Sequence, residues 1–189
     1  MTAHTENDGE RRGSPWRIAA WAAAALVLLL PLVAGAPWTV GDFVFAGALI
    51  LGVGVPFELV VRKTDAIAYR AGAGLALSGA FLLVWVNAAV GITDSEADAM
   101  YLVVLAVGIV GAFVVRFRPA GMARAMFATA LAMASVGVTA LIAGVVPAYN
   151  SAFEILGVTG FFAALWVGSA LLFRNAARQQ PPAEAGPEG

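Results

Sequence analysis

The stretch FELVVRK closes a long apolar run and sets Glu58 and Arg62 four residues apart. On a helix this spacing puts a carboxylate and a guanidinium on one face, acid first, which is the favourable order. Two roles suit such a pair. Arg62 can extend to the aqueous boundary and draw the charge of Glu58 with it, as long cationic side chains do at a membrane edge. Alternatively, Glu58 carries a proton or touches a substrate, since an ionisable residue inside an apolar helix is a functional candidate by default. Asn87, in WVNAAVGI, and the acids Asp42 and Glu154 complete the polar set in or at the ends of apolar segments. Asn87 suits either a hydrogen bond to a neighbouring helix or a ligand contact. If Glu58, Asn87, Asp42 and Glu154 converge, they form the polar path of a small-solute or proton-coupled transporter. If each serves its own helix end, there is no such path.

Other chemistries find little material. The chain has no cysteine, which removes disulfides, thiolate metal sites and cysteine nucleophiles. Its one histidine, His4, lies in a polar N-terminal stretch. Met122, Met126 and Met133 share one side of a segment. Thioethers suit Cu(I), but gap-filling packing is the simpler use of three methionines. The glycines follow no strand and precede no GK[ST], so they do not form a phosphate-binding loop. No Ser–His–acid or Cys–His constellation is visible. These residues imply no cofactor, no metal and no enzyme. The net charge of −1 supplies no basic field to hold nucleic acid.

The elements that position these residues are apolar spans. Hydrophobic residues make up 61% of the 189 and charged residues only 12%, about half the roughly 25% charge of ordinary soluble domains. With a mean hydropathy of +0.85, the composition points to a multi-pass membrane protein. Six apolar segments cover roughly 17–36, 40–61, 70–92, 99–116, 122–146 and 152–173. Each is long enough to cross a hydrocarbon core of about 30 Å at about 1.5 Å per residue. In hydrocarbon every backbone polar group needs an internal partner, so the segments should be helices. Short links such as APWT and RPAG force antiparallel neighbours. The expected fold is all-α: an integral membrane bundle of six antiparallel transmembrane helices over 16–174, between disordered cytoplasmic tails at 1–15 and 175–189.

The cations give the orientation. Arg11, Arg12 and Arg17 precede the first span, and Arg62, Lys63 and Arg70 flank the second link. Arg116, Arg118 and Arg124 flank the fourth link, and Arg174 and Arg178 follow the sixth span. All eleven fall on one side of a six-span arrangement, which places them and both termini in the cytoplasm of a bacterial inner membrane. Here Arg62, Lys63, Arg70, Arg116, Arg118, Arg124 and Arg174 set topology and meet lipid headgroups. The loop RFRPAGMAR gains about 1 kcal/mol per cation from anionic lipid. The first span partly resembles a secretory signal, ending Ala34-Gly35-Ala36. It is long for one, and Pro37 would follow the cut, so an uncleaved helix is expected. Arg11-Arg12 lacks the apolar context of a twin-arginine signal.

Three outer helix starts share a pattern: Thr39…Asp42, Ser95…Asp98 and Ser151…Glu154. A hydroxyl followed three residues later by an acid is the spacing of a capping box. The three pairs recur every 56 residues, as do Arg62, Arg118 and Arg174, at what should be matching C-terminal helix ends. Triplication of one hairpin explains the period; so does a constant membrane thickness. The same acids, with Asp94 and Glu96, make an acidic outer rim that suits either capping or a cation. Small residues recur every four at Gly160, Ala164 and Gly168, at Gly72, Ala76 and Ala80, and at Ala132, Val136, Ala140 and Gly144. Such stripes let helix backbones approach closely. Trp16, Trp21, Trp38, Tyr69, Tyr101 and Tyr149 lie near the expected interfaces, while Trp85 and Trp166 lie deeper.

The stretches WTVGDF, FELVVRK, AYRAG, LLVWVNAAVGI and RFRPAGMARAMFATA resemble an uncharacterised family of small bacterial multi-pass membrane proteins, over Trp38 to Arg174. The resemblance implies an inner-membrane protein and brings no activity with it. The residues favour a non-catalytic membrane component whose partners are the lipid bilayer and either itself or another membrane protein. A transporter is the alternative.

Overall fold

The computed structural model describes residues 15–89, 99–143 and 152–180. It is all-α, with six helices and no strand among the described residues. They are α1 (Pro15–Val33), α2 (Val40–Lys63), α3 (Ile67–Ala89), α4 (Ala99–Val114), α5 (Pro119–Ile142) and α6 (Ala152–Arg178). All but α4 are long and apolar enough to cross a membrane, which makes the chain a multi-pass membrane protein. The 16 residues of α4 span only about 24 Å. Of the expected tails at 1–15 and 175–189, residues 1–14 and 181–189 lie outside the described residues, as do the ends of spans three and five beyond 89 and 143 and the acids Asp94, Glu96 and Asp98; Pro15 begins α1, and α6 continues through 175–178.

Two compact units divide the chain, Met1–Leu51 and Gly52–Gly189. In the first, α1 ends in a Schellman motif. Ala36 N–H donates to Pro31 O (2.9 Å) and Gly35 N–H to Leu32 O (3.3 Å), with Gly35 at φ +66°. The helix therefore stops at Val33, not at the expected Ala36. The start of α2 is a complete capping box. Thr39 N–H and its hydroxyl donate to Asp42 Oδ2 (2.7 and 2.8 Å), and Asp42 N–H donates to Thr39 Oγ1 (3.3 Å). Trp38 packs edge-on against Phe43 at 5.2 Å. The residue before the cap thus staples to the fourth of the helix.

In the second unit, α6 packs along α5 and along α3, and α4 packs on α5. Between α3 and α4 there is little direct contact. Met122, Met126 and Met133 are buried among Ala123, Ala130 and Phe162, as gap-filling side chains. Close approach occurs where a side chain is missing. A Cβ on Gly72 would stand 3.3 Å from Phe173, one on Gly79 3.4 Å from Trp166, and one on Gly137 2.5 Å from Thr159. Ser169 Oγ donates to Gly72 O (2.8 Å), tying α6 to α3. The expected small-residue stripe on α6 is corrected in part: a Cβ on Gly168 would stand 3.0 Å from Leu75 of α3, but one on Gly160 would meet nothing within 4 Å, and Ala164 is exposed. Burial instead follows Ile155, Thr159, Phe162, Trp166, Ala170 and Phe173.

The 56-residue period does not yield three equal helices. Arg62 sits in the last turn of α2. Arg118, however, is the N-cap of α5, where a cation opposes the helix dipole. Arg174 lies inside α6, which continues to Arg178. Polar residues end the apolar span there but not the helix, because Ala176 and Ala177 are good helix formers and Ala176 is buried.

Candidate functional site

The four sequence-derived polar candidates do not come together within the second unit. Glu58 Oε1 accepts a 3.0 Å ion pair from Arg62 Nε, with the glutamate side chain 16% exposed and the arginine 62%. That is the helix-end arrangement of FELVVRK. The ring of Phe57 lies 3.3 Å from where a Cβ on Gly74 would stand, so Glu58 is level with that part of α3. Asn87 is thirteen residues further along α3, about 20 Å away along the axis. Glu154 is exposed in the first turn of α6. The α3–α6 contacts pair Gly72 with Phe173 and Gly79 with Trp166; this antiparallel register puts Glu154 at the Asn87 end. Asp42, in the other unit, spends its carboxylate on the start of its own helix. Of the other two expected capping boxes, Ser95, Asp98 and Ser151 lie outside the described residues.

The arginine-side end of the second unit is built by two adjacent residues of α3. Arg70 Nη2 donates to Val61 O (2.8 Å) and Asp65 Oδ1 (2.7 Å), and Nε donates to Thr64 O (2.6 Å). These bonds satisfy carbonyls left open at the end of α2, so Arg70 is a clasp between helices and not only a topology marker. Tyr69 points the other way, and its hydroxyl donates to Phe117 O (2.7 Å) in the α4–α5 turn. That turn is strained. Phe117 N–H donates to Ala112 O (3.1 Å) and Arg116 N–H to Phe113 O (3.0 Å), the same Schellman pattern that ends α1. Here no glycine takes the left-handed position: Arg116 has φ 52° and Phe117 φ 58°. Each costs on the order of 1 kcal/mol or more. Pro119 at the first position of α5 fixes where the next helix begins.

Above this turn lies a cavity of about 380 Å³ inside the second unit. From α3 it takes Tyr69, Ala73, Ala76 and Ala80. From α4 and its turn come Gly108, Ala112, Phe113 and Phe117, and from α2 Gly52, Pro56 and Val60. Its floor is Met122, Met126 and Thr129 of α5 with Trp166 and Phe173 of α6. Its wall carries no Asp, Glu, His, Lys or Arg, so it can hold apolar matter and cannot move a proton between carboxylates. Thr129 Oγ1 donates back to Ala125 O (2.9 Å). Trp166 is 3% exposed, and its indole N–H finds no acceptor among the described residues.

Sequence reasoning misses this cavity. The spacing of Ala76 and Ala80 predicts a close helix contact, whereas both face the empty space. Small residues on α3 and α4 leave volume between helices that do not close on each other. The signal is present in the alanine and glycine spacing, but that spacing reads equally as contact or as gap. Among the cations, Lys63, Arg116, Arg118, Arg124 and Arg174 are exposed. No family model matches this chain, and neither a curated protein nor a solved structure does.

Proposed function

We propose that this chain is a non-catalytic component of a bacterial inner membrane, acting as the partner of another membrane protein, with both termini in the cytoplasm. One observation carries the reading: the polar side chains are engaged at helix ends, while the cavity in the bundle is lined by no Asp, Glu, His, Lys or Arg. A carrier needs a polar path through the bilayer, and Glu58 lies about 20 Å from Asn87 along the helix axis. The resemblance of FELVVRK and RFRPAGMARAMFATA to small bacterial membrane proteins, and the clustering of arginine at one end of the bundle, support the location and orientation.

The test is photocrosslinking in native membranes from the exposed face of α4 away from the cavity, at Val103 or Val110, which are 60% and 59% exposed. A single heteromeric adduct that co-purifies at fixed stoichiometry is the expected result. Adducts with lipid alone, together with a solute flux in liposomes that Glu58→Gln abolishes, would overturn the reading in favour of transport.

A further inference from the structure

We propose that the cavity of the second unit is a binding site for one anionic phospholipid of the arginine-side leaflet, with an acyl chain inside and the phosphate at the surrounding cations. This goes beyond the partner-protein reading and does not depend on it.

Three observations carry it. The first is size. On α3 the lining runs from Tyr69 to Ala80, about 16 Å of helix, which is about half of a 30 Å hydrocarbon core and so one leaflet deep. The cavity's volume of about 380 Å³ accommodates a hydrocarbon chain.

The second is charge at one end only. Three of the elements that line the arginine-side end, α3, the α4–α5 turn and α6, carry a cation next in sequence to a lining residue. Arg70 follows Tyr69, Arg116 and Arg118 bracket Phe117, and Arg174 follows Phe173. Arg70 is held by backbone carbonyls and Asp65. Among the described residues Arg116, Arg118 and Arg174 form no ion pair, so their charge is available to a phosphate. The wall above them carries no charged side chain. An apolar slot with cations at one end matches an anionic amphiphile, not a neutral lipid and not a free anion.

The third is the turn itself. Two consecutive left-handed residues, held by the Tyr69 hydroxyl, place Phe117 in the cavity wall and an arginine on either side of it. Backbone held in such a conformation against its own cost is a feature of ligand-holding positions.

Trp166 on the floor reports occupancy. In a variant with Trp16, Trp21, Trp38 and Trp85 replaced by Phe, the protein is reconstituted into phosphatidylcholine vesicles. These contain equal fractions of phosphatidylglycerol or phosphatidylcholine with brominated acyl chains, which quench a neighbouring indole. The brominated phosphatidylglycerol is expected to quench Trp166 at least about twofold more strongly per mole, as a charge-selected site requires. Arg116→Gln with Arg118→Gln should bring that ratio to one. Ala76→Leu or, independently, Ala80→Leu should fill the slot and lower quenching by both lipids, with an unchanged melting temperature showing an intact fold. Soluble glycerol phosphate should not compete. Equal quenching by the two lipids, quenching indifferent to both alanine variants, or full competition by glycerol phosphate would each overturn the proposal. So would loss of quenching as protein density in the vesicle rises, which would place a second copy in the slot.

Discussion

Substituting Gly137 by alanine sets two known effects against each other. In an isolated helix the change gains about 1 kcal/mol, because glycine is the poorer helix former. In this bundle the new methyl carbon would stand 2.5 Å from both Cγ2 and Oγ1 of Thr159 and 2.9 Å from its Cβ. Both residues are buried at the α5–α6 crossing, and Thr159 is β-branched with few rotamers open to it on a helix. Relief therefore requires the two helices to part, and overpacking of this kind costs about 1–3 kcal/mol, more if the backbone cannot shift. With two atoms overlapped at once, the upper part of that range applies and outweighs the propensity gain. The expected net loss is about 1–2 kcal/mol, or a fall of about 2–8 °C in melting temperature at about 2–4 °C per kcal/mol for a chain of this size.

The Thr159 hydroxyl has no hydrogen-bond partner among the described residues. Thr159→Ala therefore removes a methyl, which costs, and an unsatisfied hydroxyl, which gains; the single change should be near neutral. In the double variant the two atoms at 2.5 Å are gone and only the Cβ at 2.9 Å stays close, so part of the loss should return. Thermal unfolding in one detergent, for all four members of the cycle, gives the coupling, expected at about 1–3 kcal/mol. A Gly137→Ala variant that melts higher than the parent would refute the reasoning, because it would mean that α5 and α6 do not meet at this crossing.

Three further outcomes follow from the junctions. Tyr69→Phe leaves Phe117 O without its donor and should destabilise by about 1–2 kcal/mol, read as a lower melting temperature. Arg116→Gly should act oppositely, raising stability by about 1 kcal/mol, since glycine takes φ 52° without the steric cost; a loss would show that the arginine side chain holds the turn. Ser169→Ala should cost about 0.6 kcal/mol, up to about 1.7, the range for interhelical hydrogen bonds in membranes. A loss well outside that range would indicate that the bond to Gly72 O is not what the hydroxyl contributes.

Which features are legible in the sequence depends on whether their cause is local. The start of α2 is legible because Thr39, Asp42 and the apolar run after them carry the whole mechanism within a few residues. The pairing of Glu58 with Arg62 is legible for the same reason. The beginning of α3 is not. Arg70 looks like the boundary of a span because it is charged, yet α3 starts at Ile67, and the guanidinium turns back onto α2. The function of Ala76 and Ala80 is not legible either. A small side chain says that something large is absent, and only the neighbouring helix decides whether backbone or empty volume takes its place. The end of α4 belongs with these. Pro119 announces a break, but two non-glycine residues in a left-handed turn are selected by Tyr69, 48 residues away in the chain.

The hydrogen bonds made by Tyr69 and Arg70 also impose an order in time. The Arg70 clasp can close as soon as α3 emerges, because its acceptors at Val61 and Thr64 have already been synthesised. The Tyr69 grip must wait for Phe117, some 2–10 s later at translation rates of about 5–20 residues per second. During that interval α2 and α3 are joined through the Arg70 clasp while the tyrosine beside it has nothing to hold. The arrival of the next turn then supplies its acceptor, so this junction of the nascent chain is completed by capture and not by simultaneous collapse.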